Sequence, residues 1–159
     1  MRRTILGGVA ALILVAAMSA ATAAAGPVHD HYQGSYTNTN FHDCGSFQVG
    51  FDLDYVSDLI TTRTSILGRF DDRFVYWRST DGATLGVEDL HQVGRYALDA
   101  DGNITSYVLA GPATLRLVDG EVLRDRGVTA FAGDGTIVWQ AGQHPDLMAA
   151  LCRIGSALP

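Results

Sequence analysis

Residues 40–55, NFHDCGSFQVGFDLDY, contain the pattern that decides the fold of this chain. The apolar side chains of its second half occupy every other position and are Phe47, Val49, Phe51, Leu53 and Tyr55. Successive side chains of a β-strand point to opposite faces of the sheet, so this period of two predicts a half-buried strand over residues 46–55.

The rest of the chain continues as short β-type runs divided by turn signals. We predict strands at residues 46–55, 60–70, 73–79, 84–97, 103–109, 113–118, 121–131 and 135–141. Among the separators are Asp71-Asp72, Gly111-Pro112 and Asp119-Gly120, and Asp-Gly between apolar runs is typical of a tight hairpin. Consecutive hairpins make an antiparallel meander. About eight such strands in one domain predict an all-β fold, an antiparallel up-and-down barrel.

Only the C-terminal residues 143–159 have the pattern of a helix. Pro145 suits the first helical position, Asp146 suits the positively polarised N-terminus, and Gly155 suits the C-terminal cap. The apolar positions form one stripe, which consists of Leu147, Met148, Leu151 and Ile154. We therefore expect a short C-terminal helix that packs on the barrel, with Cys152 on the packed side.

Residues 1–25 have the layout of a secretory signal peptide, with an arginine pair, a mostly apolar run and an alanine-rich tract that ends at Ala25. An uncleaved membrane anchor is the alternative, which the glycines inside the apolar run disfavour. Cleavage leaves a polar N-terminal arm at residues 26–43 and a barrel domain with its helix at residues 44–159. The sequence thus predicts a secreted, extracellular protein.

The charge balance of the chain limits its partners. Eleven basic residues, all arginine, stand against seventeen acidic ones, for a net charge of −6 at neutral pH. Removal of residues 1–25 takes two arginines and makes the net charge −8. An acidic surface repels phosphate backbones and anionic lipids, so we expect no nucleic acid partner and no stable membrane association after signal cleavage.

Two cysteines, Cys44 and Cys152, remain after signal cleavage. An even count in an exported protein predicts a disulfide, and two cysteines allow only one pairing. A reactive pair of Cys44 with His42 is the alternative, since a catalytic cysteine needs a base within reach. We favour the bridge, which makes His42 a surface residue.

Metal and enzyme signatures are weak. His29-Asp30-His31 offers two imidazoles. A high-affinity terminal copper site needs histidine third in the mature chain, whereas cleavage after Ala25 makes His29 the fourth residue. The segment from Asp99 to Asn103 starts like a calcium loop but lacks the flanking helices and the final glutamate. The usual hydrolase, metalloprotease and phosphate-loop motifs are missing from the sequence. We expect no metal and no cofactor.

Aromatic side chains are the most suggestive functional feature. We predict ligand contacts at Phe47, Phe51, Tyr55, Tyr76, Trp77, Tyr96 and Trp139. A small barrel either fills its interior with side chains or holds one small ligand, and the sequence leaves both outcomes open. Arginines in mid-strand at residues 78, 95 and 116 would need a carboxylate or an anionic ligand if they faced inward.

Residues 41–154 resemble small exported proteins of actinomycete-type bacteria. The resemblance rests on Cys44-Gly45 after a polar leader, the turns of AGPATLRLVDGEVLRDRGVTAF, the segment DGTIVWQAGQHPD and a late helix with one cysteine. These features are fold markers, and the resemblance implies a barrel of the lipocalin or allene-oxide-cyclase type. The group has no assigned activity and so implies no catalytic residues.

Three functions fit this sequence. The first, which we favour over an enzyme, is non-catalytic binding of a small, largely apolar molecule in or at the barrel. The second is a barrel enzyme of the cyclase or isomerase type, and the third is a protein-binding or inhibitor module that uses the rim loops. A buried carboxylate paired with tyrosine or arginine in an open cavity would favour the enzyme, whereas a wholly apolar cavity would favour the carrier.

Overall fold

The computed structural model describes residues 26–159, so the predicted signal peptide lies outside the described residues. The elements in chain order are β1 (Val28–Asp43), β2 (Gln48–Thr61), β3 (Ser65–Arg78), β4 (Thr84–Leu98), β5 (Ile104–Leu117), β6 (Val122–Ala132), β7 (Ile137–Gln143) and α1 (Leu147–Ala157). The predicted all-β fold with a short C-terminal helix is confirmed.

All seven strands belong to one antiparallel sheet whose spatial order follows the chain from β1 to β7. Each strand pairs with the next along nearly its full length, for example Tyr36 opposite Leu53 and Leu53 opposite Phe74. The prediction of about eight strands differs from the seven in the described residues because it divided β3 and β5 in two and did not include β1. Within residues 26–159 the sheet is not closed, because its hydrogen-bonded order ends at β1 on one side and β7 on the other.

Two predicted separators do not interrupt the sheet. Asp71-Asp72 lies inside β3, where Asp72 is in phase with the buried positions of the strand. Gly111-Pro112 lies inside β5, where the pairing to β4 passes from Ala110 to Ala113 and skips both residues. Proline cannot donate to a ladder, and this local irregularity accommodates its missing N–H.

The residues predicted to form a polar arm are β1. The segment Val28–Asn38 pairs residue by residue with β2, and most of its side chains are exposed or half-buried. An edge strand needs little apolar alternation because it contributes few side chains to the core. For this reason the strand carries no period-two signal in the sequence.

The sheet curls so that one face encloses two apolar clusters. The cluster near α1 includes Phe51, Tyr76, Leu115 and Leu151. The second cluster includes Phe70, Tyr96, Tyr107 and Phe131, and half-buried residues of both edge strands, Tyr32 of β1 and Ile137 of β7, pack against it. Since side chains from both edges reach the same cluster, the concave face is the interior of the protein.

The helix α1 begins after Asp146, whose side chain accepts a hydrogen bond of 2.9 Å from the Ala149 N–H. The predicted cap at Gly155 is wrong, because the helix continues to Ala157. Gly155 is needed for packing instead, since a Cβ there would lie 2.2 Å from the Phe47 ring. Residues 26–159 contain no helix that is long and apolar enough to cross a membrane.

A disulfide joins Cys44 to Cys152, as predicted, and closes a loop with a sequence separation of 108 residues. Cys44 lies in the connection between β1 and β2, and Cys152 lies in the middle of α1. The bridge therefore fixes the helix to the start of the first predicted strand.

Candidate functional site

A cavity of about 520 Å³ lies between the concave face of the sheet and the N-terminal end of α1. Apolar side chains form much of its wall and include Phe74, Leu90, Leu109, Phe131, Leu147 and Met148. The polar side chains that line it are His42, Tyr76, Glu88, Gln92, Asp125, Thr129, Gln140, His144 and Asp146. A cavity of this size that combines apolar walls with converging polar groups is typical of a small-molecule site.

The shortest polar contact of the cavity joins neighbouring strands. The Tyr76 hydroxyl on β3 donates a hydrogen bond of 2.6 Å to Glu88 Oε2 on β4. In the β3–β4 ladder the residue directly opposite Glu88 is Phe74. Tyr76, two positions further along the inward face of β3, therefore reaches Glu88 diagonally. Glu88 is 3% exposed and Tyr76 is fully buried.

Burial raises the pKa of Glu88 to about 7 because the low-dielectric interior disfavours the carboxylate. The hydrogen bond from Tyr76 stabilises the carboxylate and lowers this pKa, whereas the carboxylates of Asp125 and Asp89 raise it. Burial also raises the pKa of Tyr76 well above its usual value, so that its hydroxyl stays protonated. Near neutral pH Glu88 can therefore take up or release a proton, as a general acid or base requires.

Asp125 and His144 form a second polar pair in the lining of the cavity. His144 Nδ1 is 3.2 Å from the Asp125 carboxylate, and its Nε2 is 3.1 Å from the Ala141 carbonyl oxygen. The imidazole occupies the space above Gly127, where a Cβ would lie 2.4 Å from the ring. Burial raises the pKa of Asp125, and the contact with His144 lowers it. Both ring nitrogens thus face oxygen atoms of the chain, so His144 is held beside Asp125 and neither nitrogen is left for a ligand.

A third carboxyl group, that of Asp72, faces the interior. Asp72 lies opposite Leu90 in the β3–β4 ladder. It is 5% exposed, and its Oδ1 has no hydrogen-bond partner among residues 26–159. Burial, with the carboxylates of Asp71 and Glu88 adding to it, raises the pKa of Asp72 to about 7. Ser57 Oγ and the hydroxyls of Tyr96 and Tyr107 are buried without partners as well. The interior is therefore polar at several points, and burial keeps the Asp72 carboxyl group neutral at moderately acid pH.

The seven predicted ligand contacts lie in different surroundings. Tyr76 lines the cavity. Phe47 and Phe51 belong to the apolar cluster near α1, Tyr55 packs against it, and Tyr96 belongs to the second cluster. The last two of the seven, Trp77 and Trp139, do not line the cavity. Trp77 covers Gly50, and Trp139 is 54% exposed on β7.

Arginine is missing from the walls of the cavity as the structure describes it. Arg78 instead binds the C-terminal end of α1, where it donates to the carbonyl oxygens of Gly155 at 2.8 Å and Leu158 at 3.1 Å. Its guanidinium also pairs with Asp81. Arg116 lies on the outer face of β5 and pairs with Asp89.

His42 is half-buried and lines the cavity, which corrects its prediction as a surface residue. Its ring lies close to the disulfide, with one nitrogen and the two sulfur atoms within 4.8 Å of one another. A cysteine binds a metal or attacks a substrate carbon only as a thiolate, and both sulfur atoms are engaged in the bridge. The arrangement is therefore a histidine packed beside a disulfide.

Sequence reasoning missed Glu88, Asp125, His144 and Asp72. The signal for Glu88 was present, because the same alternation that places Tyr96 inward on β4 places Glu88 inward too. Asp72 was interpreted as part of a turn, although it continues the inward alternation of β3. The pair of Asp125 with His144 joins β6 to the loop before α1, and no local pattern predicts such a contact.

Comparison of this chain with models of known protein families, with curated proteins and with solved structures finds no match. The resemblance to exported actinomycete-type proteins therefore stays a prediction. The chemistry of the cavity is the basis for a functional conclusion, because function resides in sites rather than in folds.

Proposed function

We propose that this protein is a small-molecule enzyme of the isomerase or cyclase type, in which Glu88 transfers a proton inside the cavity. Tyr76 holds the Glu88 carboxylate in place and leaves its second oxygen for the substrate. The apolar walls orient the body of the substrate and keep water from the reacting atoms. Such positioning is itself a large part of catalysis, since it converts a bimolecular encounter into an intramolecular one.

The hydrogen bond from the buried Tyr76 to the buried Glu88 is the observation that supports this proposal most strongly. A carrier of apolar molecules has no need for an ionisable group inside its cavity, because a buried carboxyl group costs free energy unless it is paired. A carboxyl group whose pKa lies near the working pH is, in contrast, what general acid–base catalysis needs. The mixed cavity thus favours the enzyme over the purely apolar carrier.

The proposal includes the architecture predicted from the sequence. We propose that the curled sheet works as a barrel, with the cavity at its mouth and α1 beside it. We also propose that the protein is exported. The basic, apolar and alanine-rich segments of residues 1–25 and the Cys44–Cys152 disulfide support export.

A nitrobenzisoxazole tests the proton transfer without knowledge of the natural substrate. A base removes its ring C–H proton, the ring N–O bond breaks as the nitrile forms, and the electron pair ends on a coloured phenolate. We expect the protein to accelerate this reaction, with a rate that rises with pH through about 7 as Glu88 loses its proton. Glu88→Gln is expected to lower the rate constant about a hundredfold, because the amide accepts no proton.

The matched control is Glu121→Gln, which makes the same chemical change at an exposed residue that pairs with Arg153 outside the cavity. This variant should react like the unmodified protein. A rate that is the same with and without Glu88, or no acceleration by either protein, would contradict the proposal.

A further inference from the structure

The cavity offers an incoming ligand mainly hydrogen-bond acceptors. Glu88 Oε2 already accepts from Tyr76, and Oε1 remains available. The Gln140 amide N–H donates to Thr129 Oγ1 at 3.2 Å, which leaves the Gln140 carbonyl oxygen as its free end. The Asp146 side chain is occupied by the first turn of α1.

Groups that could hold an anion are scarce in the same walls. Arginine does not line the cavity in the described structure, and the sequence contains no lysine. The two ring nitrogens of His144 face the Asp125 carboxylate and the Ala141 carbonyl oxygen, so neither points at a ligand. The remaining donors are the neutral Thr129 hydroxyl and Gln92 amide, together with the ring of His42.

A carboxylate or phosphate in this cavity, as the structure describes it, would lie near Glu88 and Asp125 without an arginine or lysine to balance it. Like charges in a low-dielectric site repel strongly, and an unpaired buried anion is costly. A ligand N–H or O–H group would instead donate a hydrogen bond to the free Oε1 of Glu88. A protonated amine would gain most, because hydrogen bonds between charged partners are the strongest.

We propose that the ligand of this cavity has an apolar body, carries no anionic group and presents an N–H or O–H donor to Glu88. This inference rests on the proposed function and specifies the substrate class of the same site. It separates the protein from binders of fatty acids and other carboxylates, whose anionic end needs a cationic partner.

Three probes with the same naphthalene body test the inference by calorimetric titration at pH 8 with the disulfide intact. They are naphthylmethylamine, naphthylmethanol and naphthylacetate, which carry a cationic, a neutral and an anionic head. We expect the amine to bind best and the carboxylate at least tenfold more weakly than the alcohol. Glu88→Gln should reduce the affinity for the amine at least tenfold, and Glu121→Gln should leave all three affinities unchanged.

Binding of the carboxylate as tightly as the alcohol would overturn the inference, and so would the absence of binding by all three probes. The outcome is separable from that of the proposed function. Glu88-dependent reaction of the benzisoxazole together with a preference for the anion would leave the enzyme proposal standing and overturn the ligand class. Selective amine binding without benzisoxazole reaction would support the ligand class and contradict the proton transfer.

Discussion

Loss of the Cys44–Cys152 disulfide is expected to lower the free energy of unfolding by about 4 kcal/mol. The bridge closes a loop with a sequence separation of 108 residues, and the entropy that such a loop removes from the unfolded chain corresponds to about 4 to 5 kcal/mol. It also holds α1, whose buried side chains Leu151 and Ile154 pack against the sheet and whose first turn lines the cavity. The bridge therefore stabilises both the fold and one wall of the site.

Thermal unfolding of Cys152→Ser measures this effect. A change of about 4 kcal/mol corresponds to a melting temperature lower by about 10 to 20 °C for a domain of this size. A reductant should lower the melting temperature of the unmodified protein by a similar amount and leave the variant unchanged, which is the internal control. Equal melting temperatures for both proteins, or two reactive thiols in the folded unmodified protein, would contradict the account.

Replacement of Asp72 by asparagine is expected to stabilise the protein at pH 8 by about 2 to 3 kcal/mol. The pKa of Asp72 is raised from 3.8 to about 7, so the folded state holds this proton more tightly than the unfolded state. The stability that the proton provides is fully present below pH 3.8 and is lost as the pH rises through 7. At pH 8 the loss is about 4 kcal/mol, and an uncharged asparagine recovers part of it.

Urea unfolding of Asp72→Asn between pH 4 and pH 8 checks this prediction. The free energy of unfolding of the variant should fall less with rising pH than that of the unmodified protein, so that the two curves diverge from about pH 4 up to about pH 7. Asp54→Asn is the matched control, because Asp54 is exposed on β2, and its effect should stay within about 0.5 kcal/mol. Destabilisation by Asp72→Asn at pH 8 would show that the carboxylate has a partner in the folded state.

The strand pattern of the sequence predicts most of the fold because it reports burial directly. Alternation from Phe47 to Tyr55 places the inward face of β2 correctly. The same rule fails where the alternation of apolar residues in the sequence does not match the burial of the side chains. β1 is an edge strand with few buried side chains, and β3 carries Asp72 at an inward position that looks like a turn.

The candidate site is less predictable, because its polar groups come from five strands and one loop. Tyr76 was identified as an aromatic residue, but its partner Glu88 is inferred only once β3 and β4 are in register. The contact of His144 with Gly127 depends on the path of the chain after β7. The aromatic residues were poor predictors of the site, since most of these rings fill the apolar clusters and the cavity chemistry lies in the carboxyl groups.

The protonation of Glu88 is the central claim, and one labelling experiment tests it directly. Glu88 and Glu121 are the two glutamates of the sequence, so carbon-13 labelling of glutamate side-chain carboxyl groups gives two NMR signals, which Glu88→Gln assigns. The account predicts that the Glu88 signal titrates with a midpoint near pH 7. The midpoint should rise further in Tyr76→Phe, because the hydrogen bond that lowers this pKa is lost. A midpoint near 4.5, the ordinary value for glutamate, would contradict the account.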